Sequence, residues 1–213
     1  TAEDFARDYF VDLIGAQGVL LGFDCRFGKG ARGNIDLLQQ MAGDLGLEAR
    51  AFAQRSLGDL VPSSTAIRTA IRQADLKSAS AMLGRPVSIL GQVVEGDRRG
   101  RQIGFPTANI APHHAIVPAD GVYACIAKIG QSTYWAVTNI GVRPTLVDTG
   151  ERTVETHVLD FDGDLYGQVL EVEFHQRLRA EQQFGGVEEL KAQIGKDVKD
   201  ARLALKSITG ESV

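Results

Sequence analysis

Cysteine is scarce in this chain. There are two in 213 residues, Cys25 and Cys125, outside any CxxC or histidine-rich spacing, which argues against a disulfide framework and against a zinc site. Both read as reduced, packed thiols. Long apolar runs are missing too: none approaches the ~18 residues of a membrane span. The opening "TAEDFARDYF" carries charges where a signal peptide would have its apolar core. A cytoplasmic protein without a membrane partner is expected. A surplus of positive charge is also absent, because 23 basic side chains face 27 acidic ones for a formal net charge of -4. Without a broad positive field, nucleic acid is not expected as a partner. The P-loop pattern GxxxxGK[ST] does not occur, nor do internal repeats or low-complexity segments. The first residue is Thr1 rather than methionine, which reads as an upstream segment removed or left out.

At 213 residues the chain is short for two full domains but ample for one and a half, and its 44% hydrophobic content supports a packed core. The periodicity changes near position 85. Before it, helical spacing in "AEDFARDYFVDLIG", "NIDLLQQMAGDLG" and "SSTAIRTAIRQADLKSASAMLG" alternates with short apolar strands in "GVLLGFD" and "LEARAF", an order that argues for part of a parallel sheet. After Pro86 the period becomes two: "VSILGQVVEG", "GVYACIAKIG", "STYWAVTNIG", "TVETHVLDF" and "QVLEVEFHQRL" are strand candidates separated by Gly, Pro and Asp, as in a small antiparallel barrel or sandwich. A final helix is expected from Val187, Leu190, Ile194, Val198, Ala201, Leu205 and Ile208, one apolar stripe able to pack on the barrel.

Four stretches could carry chemistry. "GKGARG", residues 28–33, matches GxGxxG after a strand, with Glu48 about 20 residues on. Asp24, Cys25, Arg26 and Phe27 separate that strand from the glycines, which favours a flexible basic loop over a dinucleotide fingerprint. "PSSTAIR", residues 62–68, sets Ser63, Ser64, Thr65 and Arg68 at a helix start, either as a phosphate cradle or as an ordinary N-cap with a solvated arginine. In "GQVVEGDRRGRQIGFPTANI", Gly96, Gly100 and Gly104 permit close backbone approach to a bulky anion, Arg98, Arg99 and Arg101 add charge, and Thr107 and Asn109 offer the hard oxygens magnesium takes beside phosphates. Its glycines and Pro106 make "GRQIGFPTANI" a loop or bulged edge rather than a strand interior. The alternative is a glycine-rich hairpin with exposed arginines. In "TVETHVLDFDGDLYG", alternation places Glu155, His157 and Leu159 on one strand face. Glu155 is suited to general-base work on a hydroxyl that attacks phosphate; otherwise it is a surface strand residue and His157 a structural histidine. The run "DFDGD" reads as a turn with solvated carboxylates.

Together, "GRQIGFPTANI", "NIGVRPT", "VETHVLDFDGDLYG" and the helix after "RLRAEQQFGG" resemble the riboflavin kinase module of the bacterial bifunctional riboflavin kinase/FAD synthetase. "LLGFDCRFGKGARGN" and "PSSTAIR" resemble the second half of that family's nucleotidyltransferase module. The resemblance implies an α/β remnant of a Rossmann-like nucleotidyltransferase domain over residues 1–80, then a Greek-key β-barrel kinase domain with a C-terminal helix over 81–213. It implies transfer of the ATP γ-phosphoryl to the 5′-hydroxyl of riboflavin, giving FMN, with small-molecule substrates only. Thr107 and Asn109 would take the magnesium and ATP roles, Gly96, Gly100, Arg101 and Gly104 would line the ATP loop, and Glu155 would be the catalytic base. Arg179 and Phe184 are candidates for flavin or phosphate contact. Adenylylation of FMN to FAD by the parent enzyme is implied as well, with Ser63, Ser64, Thr65 and Arg68 as what remains of that site. The family's glycine-rich His-x-x-His motif does not occur in these 213 residues, which are therefore expected to make FMN but not FAD. Cys25 stands where the family pattern leads one to expect an aromatic residue. A non-catalytic flavin- or nucleotide-binding barrel is the alternative.

Overall fold

The computed structural model describes residues 1–96, 99–142 and 152–210, with Arg99 described by its backbone alone. Arg98, the Arg99 side chain and the "RPT" of "NIGVRPT" (Arg143, Pro144 and Thr145) lie outside what is described. The chain forms two compact units, 1–61 and 62–213.

In the first unit, Thr1 caps a short helix α1 (Ala2–Phe5) that continues as a π-helix (Ala6–Leu13). Strands β1 (Gly18–Gly22) and β2 (Glu48–Phe52) pair in parallel, as the alternating pattern predicts. Between them runs α2 (Ile35–Leu45), which opens on an Asn34 cap and ends on Gly46 in the left-handed region. Ala2, Ala6, Phe27, Leu38, Leu45 and Leu47 form the core. The GxGxxG match proves to be a packing device. Gly28 has φ +71°, and a Cβ there would overlap the Ala2 backbone; a Cβ at Gly33 would overlap the Phe27 ring. Phe27 and Gly33 exchange both backbone hydrogen bonds. These glycines let two chain segments close on each other, which accounts for them without a pyrophosphate.

The second unit opens with α3 (Ser64–Arg72) and α4 (Leu76–Leu83), capped by Ser63 and Asp75, with Ala74 at φ +57° making the corner. Six strands follow: β3 (Val87–Val94), β4 (Ala108–Pro112), β5 (Gly121–Ile129), β6 (Ser132–Val142), β7 (Arg152–Val158) and β8 (Val169–Arg179). They close into an antiparallel barrel of order β3-β4-β7-β6-β5-β8. The run β8-β5-β6-β7 is the spatial order of a Greek key. A short α5 (Arg99–Gln102) lies between β3 and β4, and α6 (Val187–Thr209) ends the fold.

Alternate residues fill the barrel, among them Ile89, Tyr123, Cys125, Val154, Val172 and Phe174. Ala70, Leu76 and Ala79 of α3 and α4 belong to the same buried cluster. Thr138 and Thr156 are fully buried and bond to each other, Oγ1 to Oγ1 at 3.0 Å. That bond answers the cost of burying two hydroxyls. Burial pushes the Cys125 thiol up to about 12, so it stays protonated. On the outer face, Ala201, Ala204 and Leu205 of α6 cover Val122, Ala124, Val137 and Leu159. The apolar stripe is therefore real at its centre, while Val187 and Ile208 at its two ends remain exposed.

His175 on β8 is half-buried, and its Nε2 has no hydrogen-bond partner among the described residues; Glu173 lies 3.8 Å away. Burial lowers its pKa, with Glu173 opposing and Lys128 assisting. The unfolded imidazole binds its proton near pH 6.5 while the folded one resists it, so the unfolded state holds more protons and stability falls as pH drops below about 6.5. His175→Gln should flatten that part of a denaturation-against-pH profile. An unchanged slope would remove His175 as its source.

Candidate functional site

The loop between β3 and β4 is built by the glycines that the sequence singled out. The Gly100 carbonyl accepts the Phe105 N–H at 2.9 Å, closing a ring of six residues. A Cβ on Gly100 would overlap the Phe105 carbonyl oxygen, and one on Gly96 would overlap the Asn109 carboxamide. Gly104 has φ +88°. At these three positions glycine is demanded by backbone conformation or close approach.

The expectation of a loop over "GRQIGFPTANI" needs one correction. Its last three residues, Ala108 to Ile110, belong to strand β4, with Ala108 and Ile110 buried and Asn109 between them. So short a strand, ending at Pro112, shows little periodicity of its own; pairing with β3 and β7 on either side makes it a strand. Thr107 sits just ahead of it.

Pairing then brings the distant motif in. Asn109 is the cross-strand partner of Glu155 on β7, and Glu155 is in turn the partner of Asn139 on β6. Directly opposite residues of this kind have Cβ atoms about 4.5–5.5 Å apart. Glu155 is half-buried and makes a further interaction within the fold. Two residues on, His157 Nδ1 lies 2.7 Å from the Pro106 carbonyl, and its ring meets Phe105 edge to face at 5.6 Å. A carbonyl only accepts, so Nδ1 carries the proton. His157 is thus structural and pins the loop beside Thr107.

Arg101, Pro106, Thr107 and Ala108 line a cleft of about 520 Å³. The segment from Phe161 to Tyr166 lines it as well, with Val93, Thr156 and Val158. The acidic run is a turn with exposed carboxylates, as the sequence reads, and it also lines the cleft. Asp162 and Asp164 are exposed, but the Asp164 carboxylate accepts the Tyr166 N–H at 2.9 Å. The Gly167 N–H donates to Val93 and the Val93 N–H to Gln168, fixing the turn to β3. Gly163 lies against the Phe161 ring, where a Cβ would come within 2.7 Å. The Asp-Gly step marks the turn in the sequence, but no local signal says that it shares a cleft with Thr107.

Glu155, Asn109, Gly96, Gly100 and Gly104 do not line this cleft; they belong to the loop and strands beside it. Thr107 and Asn109 present neutral hard oxygens with the Glu155 carboxylate in register, a set that suits a magnesium ion which keeps waters and substrate phosphates as its other ligands. No group of three or more His, Cys, Asp or Glu able to hold a metal occurs among the described residues, so such an ion would depend on those phosphates.

Arg179 and Phe184 are together, the guanidinium carbon 5.7 Å from the ring centroid. Arg179 is also gripped by Asp197 of α6 through contacts of 2.9, 3.1 and 2.7 Å, and Asp197 is only 3% exposed. Removing one partner of a pair this buried costs about 3–5 kcal/mol. No local signal announces it, since Asp197 falls within the apolar stripe. On α3, the Ser63 hydroxyl accepts the Ala66 N–H at 3.1 Å as an ordinary N-cap. Ser64, Thr65 and Arg68 stand exposed beside it.

A closed Greek-key barrel with a cleft at a glycine-built loop, preceded in the chain by a unit that carries a parallel strand pair, defines the class of the protein. The comparisons narrow it. Residues 83–205, more than half of the chain, match the riboflavin kinase family model, and residues 1–66 match that of FAD synthetase. The chain belongs to the riboflavin kinase family. It is 41% identical over 202 residues to the bifunctional riboflavin kinase/FMN adenylyltransferase of Pseudomonas fluorescens, covering 95% of this chain and 65% of that protein. With the enzyme of the same description from Escherichia coli K12 it shares 38% over 203 residues, 95% of this chain and 64% of the other. The chain thus spans just under two thirds of the length of these curated relatives. A crystal structure described as a macrolide-efflux protein from Streptococcus pneumoniae superposes with a TM-score of 0.84 at 32% identity, covering 95% of this chain and 65% of that one. That description belongs to the other protein; no helix among the described residues here is long and apolar enough to cross a membrane.

Proposed function

We propose that this chain is an ATP-dependent riboflavin kinase that transfers the γ-phosphoryl of ATP to the 5′-hydroxyl of riboflavin, giving FMN and ADP. The observation that carries the reading is the pairing of Asn109 with Glu155 beside the cleft holding Arg101 and Thr107, in a chain of this family. Glu155 accepts the proton of the attacking hydroxyl, a role that depends on its placement opposite Asn109. Arg101 and the loop of Gly96, Gly100 and Gly104 contact the ATP phosphates. Thr107 and Asn109 hold magnesium, which when bound neutralises the phosphate oxygens. Positioning and electrostatics supply most of the catalysis in phosphoryl transfer. Phe184, backed by Arg179, contacts the flavin.

The family domains part near residue 80, between the two matched segments. In the longer protein the first of them adenylylates FMN to FAD, with Ser63, Ser64, Thr65 and Arg68 contributing phosphate contacts. The setting is cytoplasmic and the partners are small molecules, without nucleic acid or membrane.

Incubation with riboflavin, ATP and magnesium followed by chromatography of the flavins tests the proposal. FMN should form. Binding of both substrates with no FMN would point instead to the non-catalytic barrel. Thr107→Ala, which removes a hydroxyl ligand, should raise the KM for magnesium-ATP and leave that for riboflavin nearly unchanged. Equal losses would mean a collapsed loop.

A further inference from the structure

Apart from the kinase cleft, the second unit has another concavity of about 340 Å³, lined by Arg72, Arg152, Asp120 and residues 115–117 and 119. It shares no lining residue with the first cleft. We propose that it is a binding site for a phosphate monoester.

One wall is rigid. Arg152 donates through Nε and Nη2 to the Asp120 carboxylate and through Nη2 to the Pro118 carbonyl. Tyr123 donates to the Ala119 carbonyl, and Arg177 to that of Asp120. These side chains hold the segment by its carbonyls. No hydrogen bond among the described residues uses the backbone N–H of Ala115, Ile116 or Val117. Donors are thus left over where acceptors have been consumed.

Arg72, the last residue of α3, supplies the other wall. Its neighbours Ala70 and Ile71 pack into the barrel core, which fixes the backbone that carries it. Its guanidinium makes no hydrogen bond or ion pair among the described residues. Two guanidinium groups against one carboxylate leave one positive charge uncompensated. Arginine forks match phosphate and carboxylate oxygens bidentately. The concavity, at about 340 Å³, is larger than a bare phosphate fills, so a phosphate with a short organic group fits better than the inorganic ion. None of the motifs read for kinase chemistry includes Arg72 or Arg152.

The test is titration of the chain with inorganic phosphate, glycerol phosphate and acetate, followed by calorimetry, in the wild type, Arg72→Ala and Arg101→Ala. Arg72 is exposed, so its removal should leave the melting temperature unchanged. Saturable binding is expected, tighter for glycerol phosphate than for phosphate, weakened about tenfold or more in Arg72→Ala and retained in Arg101→Ala, whose substitution lies in the kinase cleft. Absence of saturable binding, binding untouched by Arg72→Ala, or binding abolished by Arg101→Ala overturns the proposal. Acetate binding as tight as phosphate overturns the assignment to phosphates.

Discussion

Glu155→Gln is expected to lower kcat for FMN formation by about 10²-fold or more, the usual worth of a general base, while the KM for ATP changes little. Glutamine keeps the size and shape of the side chain, so the pairing with Asn109 and Asn139 and the fold should survive. What it loses, in the proposed role, is the capacity to accept the proton of the attacking hydroxyl. The loss falls on a group needed in the transition state, so kcat and kcat/KM should drop together. Steady-state kinetics at saturating riboflavin, with a melting curve to verify folding, decides it. Turnover within a few-fold of wild type in a folded variant would take Glu155 out of the role.

Gly100→Ala should cost nearly as much by a different route. The added methyl would overlap the Phe105 carbonyl oxygen, and backbone cannot swing aside as the end of a long side chain can. Either the ring closed by the Phe105 N–H and the Gly100 carbonyl opens, or the loop shifts as a body. In both cases Pro106 and Thr107 move. Misplacement of about 1 Å at a positioning group can cost 10²-fold in rate, so kcat/KM for ATP should fall by about that factor. The loop lies outside the barrel core, and the melting temperature should change little. If ATP kinetics stay normal, the loop does not position the nucleotide.

The two predictions differ in how early their residues could be recognised. Gly96, Gly100, Thr107 and Asn109 lie within fourteen positions of one another, and their chemistry is local: glycines for close approach, hard oxygens for a cation. Glu155 was legible as a strand residue by alternation, since Val154 and Thr156 on either side of it are buried. Its place opposite Asn109 was not, because cross-strand register is set by which strands become neighbours. The same holds for residues 161–166. Their Asp-Gly step announces a turn, but only the bonds of Gly167 and Gln168 to Val93 bring that turn to the cleft. That α6 packs on the barrel was legible from its spacing, whereas its contact with Leu159 was not. Nor was the Arg179–Asp197 pair, because an aspartate inside an apolar stripe looks like an interruption until its partner is seen.

By itself, the sequence determined the change from helical to two-residue periodicity near position 85, the alternation of helices and strands in the first unit, five of the six barrel strands, the packing helix and the glycine and proline positions of the loop at residues 96–106. Each follows from short-range sterics and the side-chain period of a helix or strand, properties that act within a few residues. Tertiary structure alone decided that β4 is a strand, that α3 and α4 bury Ala70, Leu76 and Ala79 with the barrel interior, that the "GKGARG" glycines serve packing, and which acidic turn walls the cleft. These depend on contacts between segments far apart in the chain. Burial and hydrogen-bond satisfaction select such contacts over the whole fold, and no single stretch records them.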